Sequence, residues 1–272
     1  MNSLDKAVTY AQVGEAPPAG FQPLAELPFT IIIGLTGVGK STTLALLAEK
    51  GPAFTLLPNR RDLADQIIIA SLQQEDGLAR QSVFDRVKRF EYTARYRAKY
   101  PGGMTHALGQ LMINPDKCEP RLIFDGLRGL EEVQHAVNLF PLARFIVLDA
   151  PDMVRLTRLL KRGDAFDNTA LGLTLAGQNL LASFLSIPDI EAVFDEAQLR
   201  QIARMAHAAN IGAEAAVKKI KIIVEERRNY DPDAARIFLT RSQHSHPVLR
   251  IDTATHAIEE VVGQMAEWLA RF

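Results

Sequence analysis

Two regimes of apolar and polar positions alternate along the chain. In the first, short continuous apolar runs rich in β-branched residues are separated by stretches of helical period. Phe29-Thr30-Ile31-Ile32-Ile33 is such a run, and runs of this kind suit strands buried on both faces, as in a parallel sheet. Residues 53–57, Arg121-Leu122-Ile123-Phe124 (closing on Asp125-Gly126), Phe145-Ile146-Val147-Leu148 and Pro247-Val248-Leu249-Arg250-Ile251 complete the set. Helical period covers 41–50, stopped by Gly51-Pro52, and most of 61–110, broken at Tyr100-Pro101-Gly102-Gly103. It returns over 130–140 and 151–162. It closes the chain over 257–272, with Ile258, Val261, Val262, Met265, Trp268 and Leu269 on one side. Strands alternating with helices predict an α/β fold, a five-stranded parallel sheet flanked by helices.

The second regime, residues 163–228, is alanine-rich, helical throughout and without a strand candidate. The chain therefore divides into an extended lead-in (1–28), a core (29–162 and 229–272) and a helical insertion (163–228) that would serve as a lid or second lobe.

Composition narrows the classes without naming one. The 272 residues are 47% hydrophobic and 23% charged with a net charge of −1, values that exclude a disordered chain and argue against a protein coating nucleic acid by bulk charge. One cysteine, Cys118, excludes an intramolecular disulfide. No apolar run of spanning length and no signal-peptide pattern occurs, so the expectation is a cytoplasmic protein without a membrane partner.

The sharpest local signal is Gly34-Leu35-Thr36-Gly37-Val38-Gly39-Lys40-Ser41, a full match to G-x-x-x-x-G-K-[ST] between a β-branched strand and a helix. Glycines let the backbone curl so that successive N–H groups face a polyphosphate, and the following helix adds its positive end. Lys40 would reach the β- and γ-phosphates, and Ser41 would offer its hydroxyl to Mg²⁺. Gly34, Thr36, Gly37, Val38, Gly39, Lys40, Ser41 and Thr42 are the candidate contacts to ATP.

Other features sort the P-loop classes. No N-K-x-D or T-K-x-D base-reading motif is present, and the strand ending at Asp125 has glycine, not a second carboxylate, after it. What remains resembles the nucleoside and nucleotide kinase branch, adenylate kinases and their archaeal adenylate-kinase-like relatives. The matches are Ile123-Phe124-Asp125-Gly126-Leu127-Arg128 with Gly129-Leu130-Glu131-Glu132-Val133, the strand 145–151 leading into Arg158 and Arg162, Arg227-Arg228-Asn229-Tyr230-Asp231-Pro232, and Leu249-Arg250-Ile251-Asp252-Thr253. Two departures stand out. Arg128 comes one position earlier than the arginine of Asp-Gly-Phe-Pro-Arg, and the lid is replaced by an insertion far beyond ordinary loop length. The resemblance implies ATP- and Mg²⁺-dependent phosphoryl transfer to a small acceptor, a nucleotide above all.

Phosphoryl transfer asks a protein mainly for positioning and charge neutralisation. Asp125, at the carboxyl end of a strand, is the second metal candidate, its alternative being a cap on the turn before Arg128. Arg128, Arg158 and Arg162 would stabilise the transferring charge; Arg158 and Arg162 share a helix face. Arg227 and Arg228 are lid candidates, or salt-bridge partners of the preceding Glu225 and Glu226. Arg60 and Arg61, at the end of the second strand, are acceptor candidates, as are Arg95 and Arg97 in the basic, aromatic segment 86–100. That segment reads either as a surface for a base and its phosphates or as an amphipathic helix with a solvated basic face. The six histidines form no metal-ligand pattern.

Two other functions stay open: a polynucleotide-end kinase or nucleic-acid-stimulated ATPase, and a non-enzymatic ATP-binding switch whose insertion binds a partner. Basic residues gather at 86–99, 155–162 and 218–228. Converging on Lys40, they would make a positive cleft inside a chain of balanced charge.

Overall fold

The computed structural model describes residues 7–10, 17–161, 177–241 and 245–272. Arg162, the first part of the insertion and parts of the lead-in lie outside them. Among the described residues no helix is long and apolar enough to cross a membrane.

The chain begins with β1 (Val8–Tyr10), β2 (Gln22–Pro23) and β3 (Phe29–Ile33), then α1 (Lys40–Lys50) and β4 (Thr55–Leu56). A continuous helical stretch follows: α2 (Arg60–Leu63), a π-helical stretch over Ala64–Ile69, and α3 (Ala70–Glu75). Ile67, Ile68 and Ile69 are all buried there. Next come α4 (Arg86–Lys99), α5 (Met104–Leu108), β5 (Leu111–Ile113), β6 (Leu122–Leu127), α6 (Leu130–Leu139), β7 (Ala143–Asp149) and α7 (Asp152–Lys161). The described remainder is α8 (Gly177–Leu185), α9 (Glu196–Ala208), α10 (Ala213–Asn229), α11 (Pro232–Arg241), β8 (Val248–Asp252) and α12 (Ile258–Ala270).

The main sheet has the order β4-β6-β3-β7-β8 with every pairing parallel. The fold is α/β, a five-stranded parallel sheet flanked by helices. Strand periodicity divides its residues between two cores. Phe29, Ile31 and Ile33 of β3 and Phe145 and Val147 of β7 face one side. Ile32, Ile146 and Leu148 face the other, with Leu44 and Leu47 of α1 and Trp268 of α12. From β3 the chain first builds β4 and β6 on one side and later β7 and β8 on the other. The carboxyl end of β3 is therefore the switch point, where open α/β sheets form their binding crevice.

The structure corrects the sequence reading in three places. Residues 61–110 are not one broken helical region, because a loop separates α3 from α4. The second strand is only Thr55–Leu56. And part of the lead-in is structured, since β1 and β2 pair antiparallel with β5 in a small second sheet.

The described helices of the insertion build a third core. Phe184 of α8, Leu199 and Ile202 of α9, and Ala216, Ile220 and Ile223 of α10 pack together with Leu156, Leu159 and Leu160 of α7. α7 thus belongs to both the sheet and the helical cluster.

Candidate functional site

The turn from β3 into α1 lies at the switch point. Gly37 holds φ +88°, and a Cβ there would stand 2.7 Å from the Arg155 carbonyl oxygen, so glycine alone lets the loop curl this tightly against α7. α7 grips the loop from its carbonyl side. Arg155 Nε donates to the Thr36 carbonyl at 2.8 Å, and Arg158 Nη1 donates to the Gly37 carbonyl at 3.3 Å. Arg158 also donates to Thr253 Oγ1 (2.8 Å) and the Thr253 carbonyl (2.5 Å), while Thr253 Oγ1 donates to the Val38 carbonyl at 2.8 Å. The turn after β8 thereby ties down the same loop. Helical spacing explains the grip, because positions three apart share a face and meet consecutive carbonyls.

Lys40 Nζ donates to the Gly34 carbonyl at 2.6 Å and the Leu35 carbonyl at 3.3 Å. Burial, and next the Arg128 charge, push its ammonium down from 10.5 to about 8, while Asp125 and Glu226 oppose the shift. Lys40, Asp125, Arg128, Arg155 and Glu226 therefore share one electrostatic neighbourhood. Ser41 and Thr42 are exposed at the start of α1. Thr43 Oγ1 is buried without a hydrogen-bond partner.

Asp125 sits inside β6 rather than after it. The pairing of β3 with β6 slips by one residue between Ile31 and Ile33, so Phe124 and Leu127 oppose residues only two apart. This bulge bends the strand end beside the loop. It needs Gly126, whose Cβ would come within 2.2 Å of the Phe124 ring.

On the amide side of the loop stands a carboxylate that sequence reasoning did not single out. Glu226 of α10 accepts from the Thr36 N–H (2.9 Å to Oε2) and the Thr36 hydroxyl (2.5 Å to Oε1). It also accepts from Arg128 Nη1 (2.6 Å to Oε1) and Arg155 Nη2 (2.5 Å to Oε2). Its side chain is 7% exposed and that of Arg155 is 1% exposed. Arg155 is fixed further by Asp152 at 2.5 Å. Burial lowers its pKa, which Glu226 and Asp152 offset in part. The available signals were Glu226 directly before Arg227 and the i, i+3 spacing of Arg155 and Arg158.

The remaining candidates divide. Arg60 is bonded twice to Glu132 (2.9 and 2.6 Å) and to the Gly126 carbonyl (2.8 Å) and Tyr230 Oη (3.0 Å). Burial would lower its pKa, but the Glu132 carboxylate more than compensates and raises it. Arg61 is exposed, and its main-chain N–H donates to Asn59 Oδ1 at 2.8 Å in the cap of α2. Arg227 bonds Asp152 at 2.7 Å and Asp233 at 3.3 Å, and Arg228 pairs with Asp189.

The basic segment is largely neutralised by its neighbours. Arg95 meets Asp76 through two bonds (2.8 and 2.7 Å), Lys99 meets Glu75 at 2.6 Å, and Arg89 pairs with Asp65. Of the three basic gatherings, the one on α7 is bonded to the loop itself. Arg97 lines a cavity of about 240 Å³ with Gly102, Gly129, Glu131 and Tyr230. The Arg128 guanidinium lies 5.9 Å from the centre of the same Tyr230 ring.

No family model matches the chain, and no curated protein matches it in sequence. Among solved structures, an unliganded sugar kinase from Janibacter sp. HTCC2649 matches at 13% identity and a TM-score of 0.38, over 90% of this chain and 95% of that one. TT1252 from Thermus thermophilus matches at 19% identity and a TM-score of 0.41, over 91% and 99% of the two chains.

Proposed function

We propose that the protein is an ATP-dependent phosphotransferase acting on a small phosphorylated or hydroxyl acceptor, a nucleotide being the first candidate. The observation that carries this reading is the loop 34–41 at the switch point, curled by Gly37 at φ +88° with Lys40, Asp125 and Arg128 gathered beside it. The donor set fits a polyphosphate, because the loop's amide side and Arg128 already engage a carboxylate, an anion of the same hydrogen-bonding character.

In this reading Lys40 and the loop amides bind the phosphates of ATP. Phosphate charge next to Lys40 restores an ammonium that burial weakens. Mg²⁺ would be held by Ser41 and Asp125 and would supply charge neutralisation across the polyphosphate. Among the described residues no group of three or more His, Cys, Asp or Glu side chains could hold a metal. An ion held by Ser41 and Asp125 would complete its shell with phosphate and water. Arg128, paired with Glu226 and 30% exposed in its side chain, would serve the transferring charge. Arg155 and Arg158 act through the loop, holding its carbonyls so that the amides stay turned to the ligand. The acceptor would enter the cavity between Arg97, Gly129 and Tyr230.

A screen of nucleosides, nucleotides and oligonucleotides by ATP consumption tests the proposal, with Lys40→Ala as the blank. Unchanged ATP consumption and product formation in Lys40→Ala would sink it. A second reading, an ATP-binding switch without turnover, draws on the contact between α10 and the loop. ATP binding with no turnover on any acceptor would favour it. The nucleic-acid reading is weakened by the pairing of Arg89, Arg95 and Lys99 with acids.

A further inference from the structure

Glu226 is held by an amide N–H, a hydroxyl and two guanidinium groups. These are the donors that an ionised phosphoryl group recruits. Two of the four come from Thr36, inside the loop, and a third from Arg128 at the end of β6. The carboxylate itself comes from α10, whose Ala216, Ile220, Ile223 and Val224 are core residues of the helical cluster. It is therefore the point at which that cluster touches the amide side of the loop. An N–H carries one proton to donate, so a phosphoryl oxygen cannot use Thr36 N–H fully while Glu226 does. Two anions on the same donors also repel.

We propose that Glu226 is a displaceable stand-in for a phosphoryl group. When a polyphosphate binds, its oxygens take Thr36 and Arg128, the carboxylate withdraws, and α10 moves with it. The inference rests on the polyphosphate-binding function proposed above. No cation is stranded by the exchange. Arg128 passes to the ligand, and Arg155 keeps Asp152 and the Thr36 carbonyl. The position of the helical cluster thus follows the occupancy of the loop.

Glu226→Gln keeps the shape of the side chain and removes its charge. Calorimetric titration of the full chain with tripolyphosphate and with ATP, wild type against E226Q, reads the effect. The variant is expected to bind tripolyphosphate about tenfold more tightly, although its ligand-free Tm falls with the loss of two charge-assisted pairs. Equal or weaker binding than wild type overturns the inference. A second measurement needs no variant. Tripolyphosphate should speed amide exchange in the last two turns of α10 of the wild-type protein, and unchanged or slowed exchange overturns the inference. If wild type and variant both fail to bind ATP and tripolyphosphate, the phosphotransferase reading falls as well. If wild type binds and E226Q binds no tighter, the stand-in alone falls.

Discussion

The two faces of the sheet and the cluster α8–α10 cohere by the same force but are built from different patterns. The sheet cores come from contiguous runs, since a strand buried on both sides sends successive residues to opposite faces. The helical core comes from spaced residues, Ala216, Ile220 and Ile223 on one side of α10. What joins them is different again. α7 gives Leu156, Leu159 and Leu160 to the helical core and Arg155 and Arg158 to the loop. Across the junction the named contacts are ionic: Glu226 with Arg128 and Arg155, and Arg227 with Asp152. Each body is apolar and close-packed within, and the joint between them combines the leucines of α7 with charges that reach the loop.

The comparison breaks most severely at the joint. Arg155→Ala leaves Asp152 and Glu226 each short of a buried cation and releases the Thr36 carbonyl. Removing one member of a buried pair costs about 3–5 kcal/mol, and urea unfolding should record that loss. A change below about 1 kcal/mol would mean that the joint is dispensable.

Ile223→Ala tests whether the helical core is a unit of its own. A large-to-small change at a fully buried site costs about 2–5 kcal/mol. Hydrogen exchange should accelerate in α9 and α10 while the amides of β3, β6 and β7 keep their protection. Equal acceleration in the sheet would show one cooperative body.

Gly37→Ala and Gly212→Ala contrast the loop with the cluster. The first puts a Cβ at φ +88° and 2.7 Å from the Arg155 carbonyl, whereas a Cβ at Gly212 meets nothing within 4 Å. Gly37→Ala should cost about 1–3 kcal/mol and abolish ATP binding. Gly212→Ala should leave binding intact and the Tm close to wild type. Equal effects would remove the case for a strained loop.

The smallest effect is a pH dependence confined to the sheet body. Burial, with His135 nearby, holds His106 below its ordinary 6.5, and its Nδ1 lies 2.8 Å from Tyr96 Oη. The unfolded chain therefore takes up the proton first, so this stability is present at neutral pH and is lost as pH falls below 6.5. His106→Gln should flatten the fall of Tm over that window, and an unaltered slope would assign the dependence to other groups.

Local features were legible in the chain. β3, the loop and α1 lie within 29–50, and each step follows from neighbouring residues: a β-branched run, glycines, then helical period. The small sheet was not legible. Its strands are two or three residues long, too short to show a period, and β1 pairs with β5 across some hundred positions of chain. The basic segment left two readings open for a related reason. Its arginines and lysines count as a positive patch in sequence, and their acids Asp65, Glu75 and Asp76 lie about twenty positions earlier on another helix or its trailing loop.

By itself the sequence determined the α/β class, the succession of the five main strands and the glycine-rich loop, because contiguous burial and backbone curl are written in adjacent residues. Tertiary structure alone decided which charges stand at that loop. Thr36 and Glu226 are 190 positions apart, and Arg155 and Glu226 are 71 apart. A carboxylate's partners depend on where two packed bodies meet, and no local pattern of apolar and polar residues encodes that meeting point.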